Sequence, residues 1–171
     1  PTGYPLGEKH LVMQCRSDNR RRELRWALLD LSEWKLDVER FRSVNRFFPD
    51  QRGNLVAFDS HDRSLTRISG KDLSEQRAPY PYAGTPYGSG PSFHENDFLV
   101  TREGTALFLS PKDSVVTWTR AGKFERYDAT SGIPVGMTTS AQEAPDGRVW
   151  CLRADRLLIH DPQGQCSGGT P

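Results

Sequence analysis

Short apolar runs, each opened by a glycine and closed by a polar turn, recur along the chain and read as buried strands. Gly53-Asn54-Leu55-Val56-Ala57-Phe58, Gly104-Thr105-Ala106-Leu107-Phe108-Leu109 and Gly147-Arg148-Val149-Trp150-Cys151-Leu152 share this form. From each glycine the next landmark is an aspartate, Asp62, Asp113 or Asp155, at offsets of 9, 9 and 8 residues. A second β-prone run follows: Ser64 to Ile68, Ser114 to Trp118, Arg156 to His160. Each ends towards another glycine, Gly70, Gly122 or Gly164, at offsets of 8, 9 and 9 from the aspartate. Three punctuation marks in register across three copies establish a repeat, and the glycines suit it because tight hairpins need positive φ or close strand approach.

Upstream, Leu11 to Cys15, the turn Ser17-Asp18-Asn19, and Leu24 to Leu29 resemble a fourth, more divergent copy. Leu24, Leu28, Leu31 and Trp34 also fall at roughly helical spacing, so a short helix within Leu24 to Phe41 is the competing reading. The glycine-to-glycine period is 43 residues between the last two copies and 51 between the earlier two, the excess being an insertion rich in Pro, Gly and Tyr from Pro79 to Pro91. A period in the low forties is that of a four-stranded propeller blade. The expected fold is all-β, a single domain of about four β-propeller-type repeats, near residues 8–45, 46–90, 91–134 and 135–171.

Composition narrows the function classes. A chain of 171 residues with 12 Pro, 15 Gly and 35% hydrophobic content fits one turn-rich β domain. Lys plus Arg at 23 against Asp plus Glu at 22 gives no global field for phosphate binding, so nucleic acid is not expected. The basic cluster Arg20-Arg21-Arg22 with Arg25 is broken by Glu23 and reads as a solvated hairpin tip. Three cysteines without CxxC spacing indicate neither zinc nor haem, and no metal or other cofactor is expected. No apolar run approaches the roughly 20 residues that cross a bilayer. A first residue that is Pro rather than Met suggests a processed chain or a fragment, and with it an extracellular or periplasmic location.

Phe124-Glu125-Arg126-Tyr127-Asp128, Gly132-Ile133-Pro134, Asp146-Gly147-Arg148-Val149-Trp150 and Arg156-Leu157-Leu158-Ile159-His160-Asp161-Pro162 resemble the repeat of two-component-regulator propellers, in which YD, GLP, DG(L/V)W and YDP elements recur. Streptogramin-lyase-like propellers are similar. The resemblance is good over one repeat, partial over the Gly53 and Gly104 copies and poor near the N-terminus. It implies a fold rather than a chemistry. Members of these families carry six to eight blades, whereas this chain has material for about four. It would close as a small ring, pair with another chain, or form part of a larger propeller. In a closed ring the first and last repeats are neighbours, which makes Cys15 with Cys151 the pair to test for a disulfide, against three separate thiols.

Pro79-Tyr80-Pro81-Tyr82-Ala83-Gly84-Thr85-Pro86-Tyr87-Gly88 sets three tyrosines among residues that favour extended surface backbone. Tyrosine presents a flat face and a hydroxyl at low entropic cost, which suits a carbohydrate, a peptide or a partner protein. His94 and Glu95 follow the loop and would supply a base and an acid if they converged at a propeller mouth. Tyr80, Tyr82, Tyr87, His94 and Glu95 are therefore the candidate ligand or partner contacts. Asp59-Ser60-His61-Asp62 lies where the repeat puts a hairpin, and turn hydrogen bonding explains its aspartates. His160 stands where the family pattern has an aromatic and reads as packing, and Trp118 and Trp150 read as core. No GxSxG, HExxH or P-loop pattern occurs. The expected function is non-catalytic binding of a protein or carbohydrate through loops on a propeller scaffold. The alternatives are an architectural subunit, with homo-oligomerisation or a larger assembly, and a lyase-like enzyme using His94 and Glu95.

Overall fold

The computed structural model describes residues 3–16, 24–59, 61–82, 98–109, 114–133, 136, 138–153, 156–162 and 166–169. These form four antiparallel sheets of four strands, each a meander in chain order. Blade 1 holds β1 (Gly3–Leu6), β2 (His10–Arg16), β3 (Leu24–Asp30) and β4 (Lys35–Phe41). Blade 2 holds β5 (Val44–Pro49), β6 (Leu55–Asp59), β7 (Ser64–Ile68) and β8 (Glu75–Pro79). Blade 3 holds β9 (Phe98–Val100), β10 (Ala106–Phe108), β11 (Ser114–Trp118) and β12 (Phe124–Asp128), and blade 4 holds β13 (Thr138–Glu143), β14 (Val149–Arg153), β15 (Arg156–His160) and β16 (Cys166–Gly169). The fold is all-β and of β-propeller type, its four sheets being the three repeats the glycine spacing marks and, upstream, the more divergent fourth. The competing helix within Leu24 to Phe41 does not form: Leu28, Leu29 and Asp30 pair with Asp37, Leu36 and Lys35 across a hairpin.

The repeat glycines set the register of the sheets. Gly53, Gly104, Gly122 and Gly147 have φ of 77°, 85°, 87° and 83°. Each is the fourth residue of a five-residue turn whose first N–H donates to the fifth carbonyl, at 3.0 Å from Asp50 to Asn54, 2.9 Å from Thr101 to Thr105, 2.9 Å from Thr119 to Lys123 and 2.8 Å from Ala144 to Arg148. This is a three-residue hairpin loop, a type I turn closed by a glycine in the left-handed region, and it fixes which residues face inward. The Tyr127-Asp128 and Gly132-Ile133 elements of the family pattern form a related device. The Asp128 carboxylate accepts the Thr130 N–H at 2.9 Å and the Thr130 hydroxyl at 2.6 Å, and Gly132 at φ 81° turns the chain so that Ile133 drops into the core.

The chain divides into two compact units, residues 1–80 with blades 1 and 2, and 81–171 with blades 3 and 4. In the first, Leu6, Val12, Trp26, Leu28, Phe41, Phe47, Leu55, Ala57 and Ile68 make one core across both blades. Its centre is aromatic: Trp26 meets Phe47 edge-on at 5.1 Å, Phe41 meets Phe47 at 4.9 Å, and Tyr4 lies 5.7 Å from Trp26. Such offset contacts add to plain area burial. The Trp26 indole N–H donates to the Asn45 carbonyl at 3.2 Å, so the ring is buried without an orphaned donor. In the second unit, Leu107, Leu109, Val115, Ile133, Val149, Cys151 and Leu158 form an aliphatic core. There Arg102 N–H donates to Glu143 at 2.7 Å, and the Thr138 hydroxyl to the Leu109 carbonyl at 3.2 Å, joining blade 3 to blade 4.

Trp118 is fully buried as expected, but Trp150 is 36% exposed. On β14 Val149, Cys151 and Arg153 face inward and Trp150 and Leu152 outward, and the Arg148 guanidinium covers the indole at 5.7 Å. The strand alternation, not the hydrophobicity of one residue, decided its side. Cys15 and Cys151 are free thiols, so the disulfide between them is not formed. Cys151 sits inside the aliphatic core, and burial pushes its thiol up to about 12. With Cys15 and Cys166 replaced by Ser, Cys151 is expected to stay unmodified by an aromatic disulfide reagent at pH 8 until denaturant is added. Rapid reaction of the native protein would contradict the packing.

Two glycines separate backbone conformation from space. A Cβ on Gly132 would meet nothing within 4 Å, leaving only the strain of positive φ. A Cβ on Gly70 would collide with the backbone of Gly53 and Gly7, which are joined by a Gly7 N–H to Gly53 carbonyl bond of 2.8 Å. Gly132→Ala is expected to cost about 1–2 kcal/mol, and Gly70→Ala distinctly more, as read from urea midpoints at equal slope. Equal losses would mean that the contact between blades 1 and 2 yields readily.

Candidate functional site

The sequence places five contacts on and after the tyrosine-rich insertion, and two of them are described. Tyr80 is not a presented face: it is 6% exposed, and its N–H donates to the Arg63 carbonyl at 2.9 Å, closing the end of β8 against the β6–β7 turn. The extended Pro79–Pro81 backbone that suggested exposure instead folds the ring inward. Tyr82 is half-buried, with the Arg126 guanidinium 5.9 Å from its ring centre. Tyr87, His94 and Glu95 lie outside the described residues. Of the five, only the placements of Tyr80 and Tyr82 are described.

The aspartates at the hairpin of blade 2 do what turn chemistry predicts. Asp59 accepts the His61 N–H at 2.9 Å, and Asp62 the Ser64 N–H at 3.1 Å while pairing with Arg77. Arg77 also donates to the Ser64 hydroxyl at 3.0 Å. Beside them Arg40, Phe41, Ser43, Val44, Thr66 and Glu75 complete a cleft of about 80 Å³. Arg40 is held there by Glu75 at 2.9 Å and by the Leu73 carbonyl at 3.1 Å. That volume suits a few waters, not a sugar or peptide, whose pockets are several-fold larger. Among the described residues no group of three or more His, Cys, Asp and Glu is placed to hold a metal ion.

The surface that departs most from an ordinary β protein is the β3–β4 hairpin. Leu31, Trp34, Leu36 and Val38 are 38%, 77%, 46% and 43% exposed, four of the six large apolar side chains so exposed among the described residues. The turn that carries them is tightly built. One oxygen of the Asp30 carboxylate accepts the Ser32 N–H at 2.8 Å, the Ser32 hydroxyl at 2.6 Å and the Glu33 N–H at 3.1 Å, and these bonds hold Asp30 below the usual carboxylate range. The Leu31 N–H donates to the Lys9 carbonyl at 2.7 Å, fastening the turn to the β1–β2 connection. His10 stands 3.6 Å from the other Asp30 oxygen.

Trp34 adopts φ 52°, a conformation that bulky side chains disfavour. The left-handed backbone costs stability, and an indole this exposed returns little of it through burial. Next to it, β4 is the outer strand of its sheet, and every residue from Lys35 to Arg40 is exposed. Its pairing is regular only at Lys35, Leu36 and Asp37; then three residues, 38–40, stand opposite Ala27 alone. The Asp37 carboxylate accepts the N–H groups of Glu39 and Arg40, each at 3.1 Å, and closes that bulge. The open edge is therefore short. The sequence carried its signal, the period-two alternation Lys35-Leu36-Asp37-Val38-Glu39, which marks a strand with one apolar face.

If Trp34 serves no packing role, Trp34→Gly relieves the left-handed strain and is expected to raise the stability by about 1 kcal/mol, or at least not lower it, in urea unfolding followed by circular dichroism. A clear loss would show that the indole packs on blade 1.

No family model matches this chain, and no curated protein is similar to it in sequence. Solved structures are similar in fold. Virginiamycin B lyase from Staphylococcus aureus superimposes with TM-score 0.58 at 12% identity, over 99% of this chain and 55% of that one. A streptogramin B lyase gives 0.56 at 13%, over 99% and 54%. The extracellular domain of a hybrid two component system from B. thetaiotaomicron gives 0.57 at 13%, over 99% and 23%. The chain thus spans about half the length of these lyases and under a quarter of that extracellular domain, and the likeness is one of fold. It agrees with the repeat pattern carried by Tyr127-Asp128, Gly132-Ile133 and Asp146-Gly147.

Proposed function

We propose that this chain is a non-catalytic protein-binding module, and that its contact surface is the β3–β4 hairpin. The observation that carries the reading is Trp34, a strained, 77% exposed indole on a turn locked by Asp30. Exposed tryptophan at a rigid position is the side chain that most often dominates a protein interface, and Leu31, Leu36 and Val38 supply an apolar surround. The occupant that fits is an extended segment of a partner protein. It would align along the open side of β4 at Lys35 to Asp37 and set alternate apolar side chains against Leu36, with one end under Trp34. A carbohydrate asks for a concavity with converging polar groups, whereas the large exposed side chains of this hairpin are the apolar Leu31, Trp34, Leu36 and Val38.

The tyrosine-rich insertion is a separate candidate contact segment, with Tyr82, Tyr87, His94 and Glu95 as contacts and Tyr80 buried at its start. A place outside the cytoplasm fits the two component system neighbour, whose matched part is an extracellular domain. No helix among the described residues is long and apolar enough to cross a membrane.

A random twelve-residue peptide library selected on the immobilised protein tests the assignment. Selected peptides are expected to alternate apolar residues and to lose at least about tenfold in affinity, some 1.4 kcal/mol, on Trp34→Gly and on Leu36→Glu, by titration calorimetry. Both variants are expected to keep the far-ultraviolet circular dichroism of the parent. Binders indifferent to both substitutions would sink the hairpin as the interface and move attention to the insertion, through Tyr82→Ala and Tyr87→Ala.

A further inference from the structure

The second unit contains a titratable group that nothing above uses. His160, the last residue of β15, is 4% exposed. Its ring meets the Tyr127 ring of β12 edge-on, with centroids 5.9 Å apart and an interplanar angle of 80°. This is a contact between blade 4 and blade 3. Tyr127 is positioned in turn, its hydroxyl donating to Glu125 at 2.7 Å, while the other Glu125 oxygen accepts from Lys123 at 2.6 Å. Tyr127 also packs on the core of Leu107, Val115, Ile133 and Leu158. The imidazole is thus the far end of a chain of contacts, from Lys123 through Glu125 and Tyr127, that closes the seam between the blades.

The imidazole Nε2 is buried and has no hydrogen-bond partner among the described residues. A neutral ring tolerates this at modest cost; a protonated one must place a donor and a charge where no described residue accepts the Nε2 proton. The surrounding groups do not supply the remedy. On β14 the register partner of His160 is Val149, and on β16 it is Cys166. The charges that act on the ring are Asp161, next in the chain, and Glu125 on β12, and both favour protonation. Burial outweighs them and holds the imidazole below its ordinary value. Glu125 is in any case committed to Lys123 and the Tyr127 hydroxyl.

We propose that His160 is an acid-labile latch between blades 3 and 4: protonation drives its ring out from against Tyr127 to reach water, and β12 separates locally from β15. The proposal is independent of the binding role of the β3–β4 hairpin, which lies in the other unit. The sign follows from linkage. A histidine depressed in the folded state leaves that state binding fewer protons than the unfolded chain. Its stabilising contribution is complete above the unfolded value near 6.5 and is lost as the pH falls through it towards the folded value. The depressed carboxylates Asp30, Asp72, Glu125, Asp128 and Asp146 act in a separate, lower window, below their ordinary values near 4.

Two measurements decide it. Thermal unfolding of the parent chain at pH 7.5 and 5.5 is expected to show a Tm lower by roughly 2–4 °C at the acid side. In His160→Phe, which keeps the aromatic contact, that difference should shrink to the part contributed by the remaining histidines. Hydrogen-exchange protection factors of the unsubstituted protein, corrected for intrinsic rates, should fall at pH 5.5 in Phe124–Asp128 and Arg156–His160 while blade 2 strands hold. Unchanged protection in those two strands, or the same acid sensitivity in a folded His160→Phe, would overturn the latch. If His160→Phe does not fold, the exchange pattern alone decides.

Discussion

Each sheet in this protein has a face that must be hidden, and no sheet can hide it alone. Strands of three to seven residues in four-stranded meanders offer too little surface for a sheet to stand in water. The seam between paired blades is therefore the constraint on which everything else rests. In residues 1–80 the seam is an aromatic cluster around Trp26 and Phe47; in residues 81–171 it is aliphatic, flanked by Tyr127 and His160. The five-residue glycine turns serve the seam, since a slip of one residue would turn every inward side chain outward.

Because the seam takes up the inner positions, the outer strands are free to differ, and they do. β8 reads Glu-Gln-Arg-Ala-Pro, charged, and ended by a proline that cannot donate to a further strand. β4 has the opposite character: apolar on one face, open at Lys35 to Asp37, and preceded by a strained tryptophan. Two strands in the same topological place thus follow opposite rules, one closed to neighbours and the other available.

The repeat was legible because glycine is demanded by geometry: the positive φ of Gly53, Gly104, Gly122 and Gly147 cannot be supplied cheaply by other residues, so backbone need appears directly as letters. The turn roles of Asp59 and Asp62 were readable from the hairpin position the repeat assigns them, and the packing of His160 from the aromatic position it fills in the resembling repeat. Side-chain direction was harder. Trp150 looked like core until its register showed that Val149 and Cys151 own the inner face. Leu24, Leu28, Leu31 and Trp34 matched helical spacing by accident of a hairpin whose two strands carry apolar residues on both sides of a turn. Tyr80 looked exposed because composition describes a loop's average and not the one residue that docks it. The strain at Trp34 was invisible, since nothing in a single letter marks a left-handed backbone in a residue that is not glycine.

The contact of Gly7, Gly53 and Gly70 bears on how such a chain can change over generations. These residues belong to two different blades and lie so close that a methyl group on Gly7 or Gly70 meets main-chain atoms of the others. A duplicated or transplanted repeat would bring its own residue to that junction, and only one bearing glycine at the matching place would seat. Blades 1 and 2 are in that sense a single heritable piece: recombination can copy or move the pair, while exchange of either member alone meets a steric barrier at the level of the backbone.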